Sequence, residues 1–238
     1  MGWEESAVPG FVIHLAEAIV IMESMKKKPD DAWRQDFLLG SLLPDTRLGE
    51  HKAVSHFWGC GQEEYIARAP KLSLFLEKYR HRLDEPAILG YYAHLYLDEH
   101  YVCRFWPKVL SFEDKNGCIQ SKKDKITQVE LKHSGEKVPF EKFFSPEYYY
   151  GDYTRCNHWF VEKFHIKPPE YRNMELLGMN EVQPEALKDV LEELEYLFSR
   201  GCIGDEKWMK VFDLAELEAF VRDTAEAFCR HMEDLMHM

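Results

Sequence analysis

The sequence predicts a mainly α protein, a multi-helical bundle carrying one small loop or β-hairpin insertion. Three observations predict it. Apolar residues recur at spacings of three and four through several segments, helix-start and helix-stop residues bound those segments, and one stretch alone combines turn pairs with alternating apolar residues. The first helix is expected over 6–25, capped by Ser6, with Val8, Phe11, Val12, Leu15, Ile19 and Met22 as its apolar stripe. Lys26, Lys27 and Lys28 complement its C-terminal dipole, and Pro29 stops it. Asp30 caps a second helix over 31–43, which Pro44 ends. Residues 45–61, with Gly49, Gly59, Gly61 and scattered histidines, read as a loop between apolar helices. Helices over 72–82 and 85–106 follow, the second stopped by Pro107. Asp114, Asn116-Gly117 and Ser134-Gly135 are turn signals, and Ile126, Val129 and Leu131 lie between them in a loosely alternating run. Residues 111–145 are therefore expected to form a surface insertion inside a single helical domain spanning 1–238. Helix resumes over 147–164 and breaks at Pro168-Pro169. Pro184 suits the first turn of a helix over 184–198, which Arg200-Gly201 ends, and a last helix covers 214–234.

Composition excludes several classes. A chain of 238 residues that is 45% apolar and 14% aromatic can bury enough surface to offset chain entropy, so wholesale disorder is excluded. A net charge of −12 argues against general nucleic-acid binding, which needs a basic surface. It leaves room for a local cationic site, because bound cations offset carboxylates where they sit. No segment has the run of apolar residues that a transmembrane span needs. The apolar stretch 11–22 contains His14 and Glu17 and follows Glu4 and Glu5 in place of lysines, so it reads as a helix and not as a secretion signal. Six cysteines without a C-x-x-C pair read as reduced thiols, and the expected location is cytoplasmic.

The sharpest local pattern is Gly90-Tyr91-Tyr92-Ala93-His94-Leu95-Tyr96-Leu97-Asp98. On a helix His94 and Asp98 share one face, one turn apart. An imidazole and a carboxylate so placed can hold one divalent metal, or they can form a buried ion pair. His14 lies within the apolar first helix, Asp45 follows Leu42-Leu43-Pro44, and His56 sits beside Phe57 and Trp58. Each has an ordinary structural reading by itself. Together His14, Asp45, His56, His94 and Asp98 have the right chemistry for one or two metals.

In order, the chain presents a histidine in its first helix, Gly40-Ser41-Leu42-Leu43-Pro44-Asp45, then Lys52 with Ser55-His56-Phe57, and then Gly90-Tyr91-x-x-His94-x-x-x-Asp98. This series resembles the zinc-dependent phospholipase C and P1-type nuclease superfamily, especially its bacterial phospholipase C-like members. The resemblance covers about residues 10–105. It implies an all-helical fold with a cluster of up to three zinc ions. Asp45, His56, His94 and Asp98 would match the four ligands of one zinc, and Asp98 would bridge to a second carrying His14. A third would use an H-x-x-x-E pair, a spacing found at His158 and Glu162, with His100 or His133 as a further partner. His81 and Glu85 share that spacing within a charged run and read as solvated surface. Two departures stand against the full set: Trp3 follows Met1-Gly2, where secreted members use an N-terminal tryptophan, and residues 111–150 interrupt the later spacing. The cofactor expected is a divalent metal, zinc by resemblance, with one to three ions.

The function expected is a metal-dependent phosphodiester hydrolase acting on a small phosphoester, with Asp45 as general base toward water. Tyr91, Tyr92, Phe57 and Trp58 are candidates for a wall against a base or acyl group. One alternative is a non-catalytic helical metal-binding or interaction protein. Another is an HD-type nucleotide phosphohydrolase, against which stands the absence of an adjacent His-Asp dipeptide. No P-loop, G-x-S-x-G or dinucleotide fingerprint occurs.

Overall fold

Helix α5, Pro86–His100, is buried almost all round: every residue from Ala87 to Asp98 is inside, and so is His100. A helix without a solvent face needs neighbours on all sides. The computed structural model, which describes residues 10–26, 28–47, 51–199 and 209–237, supplies them as α1 (Phe11–Ser24), α2 (Asp31–Gly40), α4 (Leu72–Tyr79) and α10 (Leu214–His237). The expected Ser6 cap, Trp3 and the Arg200-Gly201 stop lie outside the described residues. Asp30 caps α2 as expected, its Oδ1 accepting the N–H of Trp33 at 2.9 Å, and Asp213 caps α10 through the N–H of Glu216 at 2.9 Å.

The tightest helix pair is α2 against α5, and glycine makes it possible. A Cβ on Gly40 would lie 2.1 Å from the carbonyl oxygen of Ala87, and one on Gly90 would lie 2.1 Å from that of Phe37. Backbone meets backbone there, which fixes the end of α2 against the middle of α5.

Several elements differ from the sequence reading. Helix α2 ends at Gly40, and Pro44 lies inside a separate 3-10 turn, Leu43–Thr46, where a proline early in the turn needs no N–H. A short helix α3, Lys52–Ser55, interrupts the expected loop. Helix α5 does not run to Pro107. It passes into a π-turn, Tyr101–Phe105, and then α6, Trp106–Val109, in whose first turn Pro107 sits without breaking anything.

The 111–145 segment forms a three-stranded antiparallel sheet, β1 (Leu110–Glu113), β2 (Gln128–Leu131) and β3 (Glu136–Pro139), in the order β1-β2-β3. Leu110 pairs with Leu131, and Val129 lies between Phe112 and Val138. These five side chains share one face, and that face joins the main core together with Phe143 of α7, Phe140–Phe143. The segment is therefore part of the core on one side and not an appendage on the surface. Helix α8 is Tyr149–Lys163, and α9, Leu187–Ser199, follows a turn opened by Pro184.

Asp152 of α8 is a buried tie. Its Oδ2 accepts the N–H groups of Lys210 at 2.8 Å, Val211 at 2.5 Å and Phe212 at 3.1 Å, and its Oδ1 accepts Arg155 Nη1 at 3.1 Å. The segment that leads into α10 is fixed to α8 by this one carboxylate.

Candidate metal centre

Five residues from four parts of the chain meet inside the protein. His14 comes from the first turn of α1, Asp45 from the 3-10 turn after α2, His56 from the end of α3, and His94 and Asp98 from α5. His14, His56, His94 and Asp98 are fully buried, while Asp45 is 6% exposed. His56 Nε2 lies 3.2 Å from His94 Nε2, and each is 3.5 Å from Asp98 Oδ2. Asp45 Oδ1 lies 3.4 Å from His56 Nε2, and Asp98 Oδ1 lies 3.4 Å from His14 Nε2. The rings of His14 and His94 stack with centroids 3.6 Å apart.

The backbone sets which ring nitrogens face inward. His94 Nδ1 is 2.8 Å from the carbonyl of Ser41, which only accepts, so Nδ1 carries the hydrogen and donates it. His56 Nδ1 lies 3.0 Å from Ser55 Oγ and 3.1 Å from the Lys52 carbonyl; with the Ser55 hydroxyl donating to that carbonyl, Nδ1 carries the hydrogen and donates. Both Nε2 atoms point at Asp98 and at each other. Tyr91 donates to the carbonyl of Ser55 and ties α3 to α5. The close approach of Gly40 to Ala87 and of Gly90 to Phe37 and Ser41 brings Ser41 close enough to orient His94.

The donor set fits a divalent cation. Ligand atoms 2.0–2.1 Å from a tetrahedral ion stand about 3.3–3.4 Å apart. The separations here are 3.2–3.5 Å, and neither oxygen of Asp98, though buried, receives a hydrogen bond. Among the described residues, His14, His94 and Asp98 form one triad of ligand groups close enough to hold an ion, Asp45, His56 and His94 form another, and His56, His94 and Asp98 also lie within 3.5 Å of one another. Imidazole nitrogens and carboxylate oxygens suit zinc or manganese better than the all-oxygen shells of calcium or magnesium.

Electrostatics agree with a site built for positive charge. Burial pushes the His14 imidazole down, as does His94 beside it. Burial and the Lys52 ammonium take His56 down to about 4. Burial also presses on His94, but the Asp98 and Asp45 carboxylates outweigh it and hold His94 above its ordinary value. For Asp98, burial raises the carboxyl, yet His94 and His14 hold it well below the usual range. The same holds for Asp45, where Lys52 and His56 overcome burial.

Other expected residues lie elsewhere. His158 Nε2 is 3.2 Å from Glu162 Oε1, their side chains are 31% and 72% exposed, and they belong to neither triad. The H-x-x-x-E spacing has put an ion pair on the outer face of α8, because the inner face is taken by Tyr149, Asp152, Cys156 and Phe160. His100 stacks on Tyr96 and bonds through Nδ1 to its carbonyl, and His133 lines a cleft with Lys108 and Asp213. Of the proposed aromatic wall, Phe57, Tyr91 and Tyr92 are core residues packed on Phe75. Only Trp58, 5.7 Å from His56 between ring centroids, keeps a partly exposed place beside the cluster.

The residue whose role the sequence reading missed is Lys52, whose Nζ lies 2.9 Å from Asp45 Oδ1 in the interior. Its sequence signals are its place in the ordered series before Ser55-His56-Phe57 and its position four residues before His56, which places both on one helical turn. Comparison with protein-family models, with curated proteins and with solved structures finds no match to this chain. Among the described residues no helix is long and apolar enough to cross a membrane.

Proposed function

We propose that this protein is a metal-dependent hydrolase of phosphoric esters whose centre is the buried His/Asp cluster. The observation that carries the reading is the convergence of three imidazole nitrogens and two carboxylates at 3.2–3.5 Å inside the protein. The ordered motif series and its resemblance to zinc-dependent phospholipase C and P1-type nucleases supply the reaction class. His56, His94 and Asp98 would hold the ion, with Asp45 and His14 at its margins. When bound, a divalent ion there supplies positive charge that polarises a phosphoryl oxygen and makes nearby water more acidic.

The chain's own groups then have distinct tasks. The Ser41 and Lys52 carbonyls keep His94 and His56 in the tautomer that presents Nε2. Asp45 Oδ1 is occupied by Lys52, so accepting a proton from water falls to Asp45 Oδ2. Trp58 is the aromatic group placed to meet a substrate's organic part.

A second reading is favoured by burial: a metal held wholly inside, with four of the five residues fully buried, also describes a structural staple. The two readings separate in one experiment. Protein purified without chelator is measured for metal content and for hydrolysis of bis(4-nitrophenyl) phosphate, alongside His94→Ala, Asp98→Ala and His158→Ala. The hydrolase reading expects turnover that the first two variants abolish while remaining folded and that His158→Ala retains. Bound metal with no turnover on any phosphodiester or phosphomonoester tested would leave the staple.

A further inference from the structure

Among the described residues three close sets of ligand groups all include His94: with His14 and Asp98, with Asp45 and His56, and with His56 and Asp98. One imidazole nitrogen has one lone pair and binds one ion, and the other nitrogen of His94 is committed to the Ser41 carbonyl. The three sets therefore exclude one another. An ion at His56, His94 and Asp98 Oδ2 leaves His14 with Asp98 Oδ1 on one side and Asp45 on the other, which share no close set, so neither side offers the three protein ligands of an ordinary catalytic zinc site.

The remaining carboxylate already has a cation. Lys52 is 6% exposed, and its Nζ is 2.9 Å from Asp45 Oδ1. Helix α3 fixes it there, because the backbone N–H and Nδ1 of His56 both bond to the Lys52 carbonyl, at 2.9 and 3.1 Å. Lysine and ligand are thus carried on one rigid turn. Charge favours the same arrangement. Asp45 and Asp98 carry two negative charges, and buried Glu17, which feels Asp98, adds a third whenever it is ionised, while Lys52 with one divalent ion carries three positive, a net of 0 or +1. A second divalent ion would make it +2 or +3 in a buried site, where uncompensated charge is costly.

We infer that Lys52 supplies the second positive charge of this centre, so that the site takes one divalent ion where the resemblance implied up to three. The inference rests on the metal-centre part of the proposed function. Lys52 is a positioning residue: it holds Asp45 and keeps a second ion from it.

The test is a metal count on the full chain, stripped with chelator and reloaded separately with zinc and with manganese. Bound ion is read by plasma mass spectrometry and, in crystals, by anomalous scattering. Wild type and Lys52→Arg are expected to hold one equivalent. Lys52→Met, which keeps length and loses charge, is expected to approach two, with new anomalous density at Asp45. Thermal unfolding of each variant confirms that counts come from folded protein. Two or more equivalents in wild type, none in wild type, or one in all three proteins overturns the inference. Hydrolysis of bis(4-nitrophenyl) phosphate is scored separately. One equivalent without turnover leaves Lys52's role standing and removes the hydrolase, while turnover with two ions does the reverse.

Discussion

Replacing Asp98 by asparagine separates metal binding from folding more cleanly than any other change in the cluster. Asp98 touches three imidazoles at 3.4–3.5 Å, and no donor reaches either oxygen at hydrogen-bonding geometry. Asparagine keeps the volume and one carbonyl oxygen but removes the charge on which a divalent ion depends. The size of the effect follows from linkage. An ion present at 1,000 times its dissociation constant stabilises the folded state by about 4.1 kcal/mol. For a chain of this size each kcal/mol moves the unfolding midpoint by about 2–4 °C. Wild-type protein should therefore gain about 8–16 °C on loading with zinc or manganese, and Asp98→Asn should lose nearly all of that increment. Differential scanning fluorimetry with and without metal, backed by circular dichroism, measures both. An Asp98→Asn protein that keeps the full increment would refute the assignment of Asp98 as a ligand. A wild type indifferent to metal would refute the centre itself.

Three further outcomes are expected elsewhere. Gly90→Ala drives a methyl to within 2.1 Å of the Phe37 carbonyl oxygen, a backbone atom. It should cost about 1–3 kcal/mol in urea unfolding and weaken metal binding through the displaced Ser41, whereas an unchanged midpoint would contradict the backbone contact. Asp152→Ala leaves the N–H groups of residues 210–212 without their acceptor and should cost about 3–5 kcal/mol by the same measurement; a loss under about 1 kcal/mol would mean the tie is dispensable. Glu181 is a buried carboxylate bonded at 2.5 Å to both Lys78 Nζ and Tyr79 Oη; burial raises its carboxyl, but these two bonds outweigh it and hold it below its ordinary value of 4.5. A lowered folded-state value gives stability that is present above pH 4.5 and lost as pH falls, so Glu181→Gln should be less stable than wild type at neutral pH and the gap should close on acidification. A gap that stays constant from pH 7 to pH 3 would show that this carboxylate is not what titrates.

Three of the candidate ligands, His14, His94 and Asp98, were legible in the sequence because each is a polar residue inside an apolar helical segment. His14 breaks the stripe of α1, and His94 and Asp98 share a face of a helix whose every side is buried. Asp45 and His56 followed from the ordered series. What escaped the sequence depended on tertiary packing. Nothing local distinguishes Lys52, inside, from the solvated lysines of 122–125, because the difference is whether Asp45 folds back onto it. His158 and Glu162 had ligand spacing, but which face of α8 turns inward is decided by Tyr149 and Phe160 packing into the core. The helix stop at Pro107 failed because a π-turn shifts the hydrogen-bond ladder and leaves that proline in a fresh first turn. The sheet's turn residues were visible, while its place in the core depended on Phe112 and Phe143 meeting edge to face.

Burial also gives the centre a direction. Of the cluster and its lysine, only Asp45 and Lys52 keep measurable contact with solvent, at 6% each, and both belong to the short turns between α2 and α4. His14, His94 and Asp98 on α1 and α5 are walled in by α10, α8 and the aromatic core. An anion reaching the ion would then arrive past Lys52, with Trp58 of the same turn region beside His56. In such an approach the ammonium meets the phosphoryl group before the ion does, so Lys52→Met should raise KM for a phosphoester as well as change the metal count. A variant with two ions and an unchanged KM would place the approach on another side of the cluster.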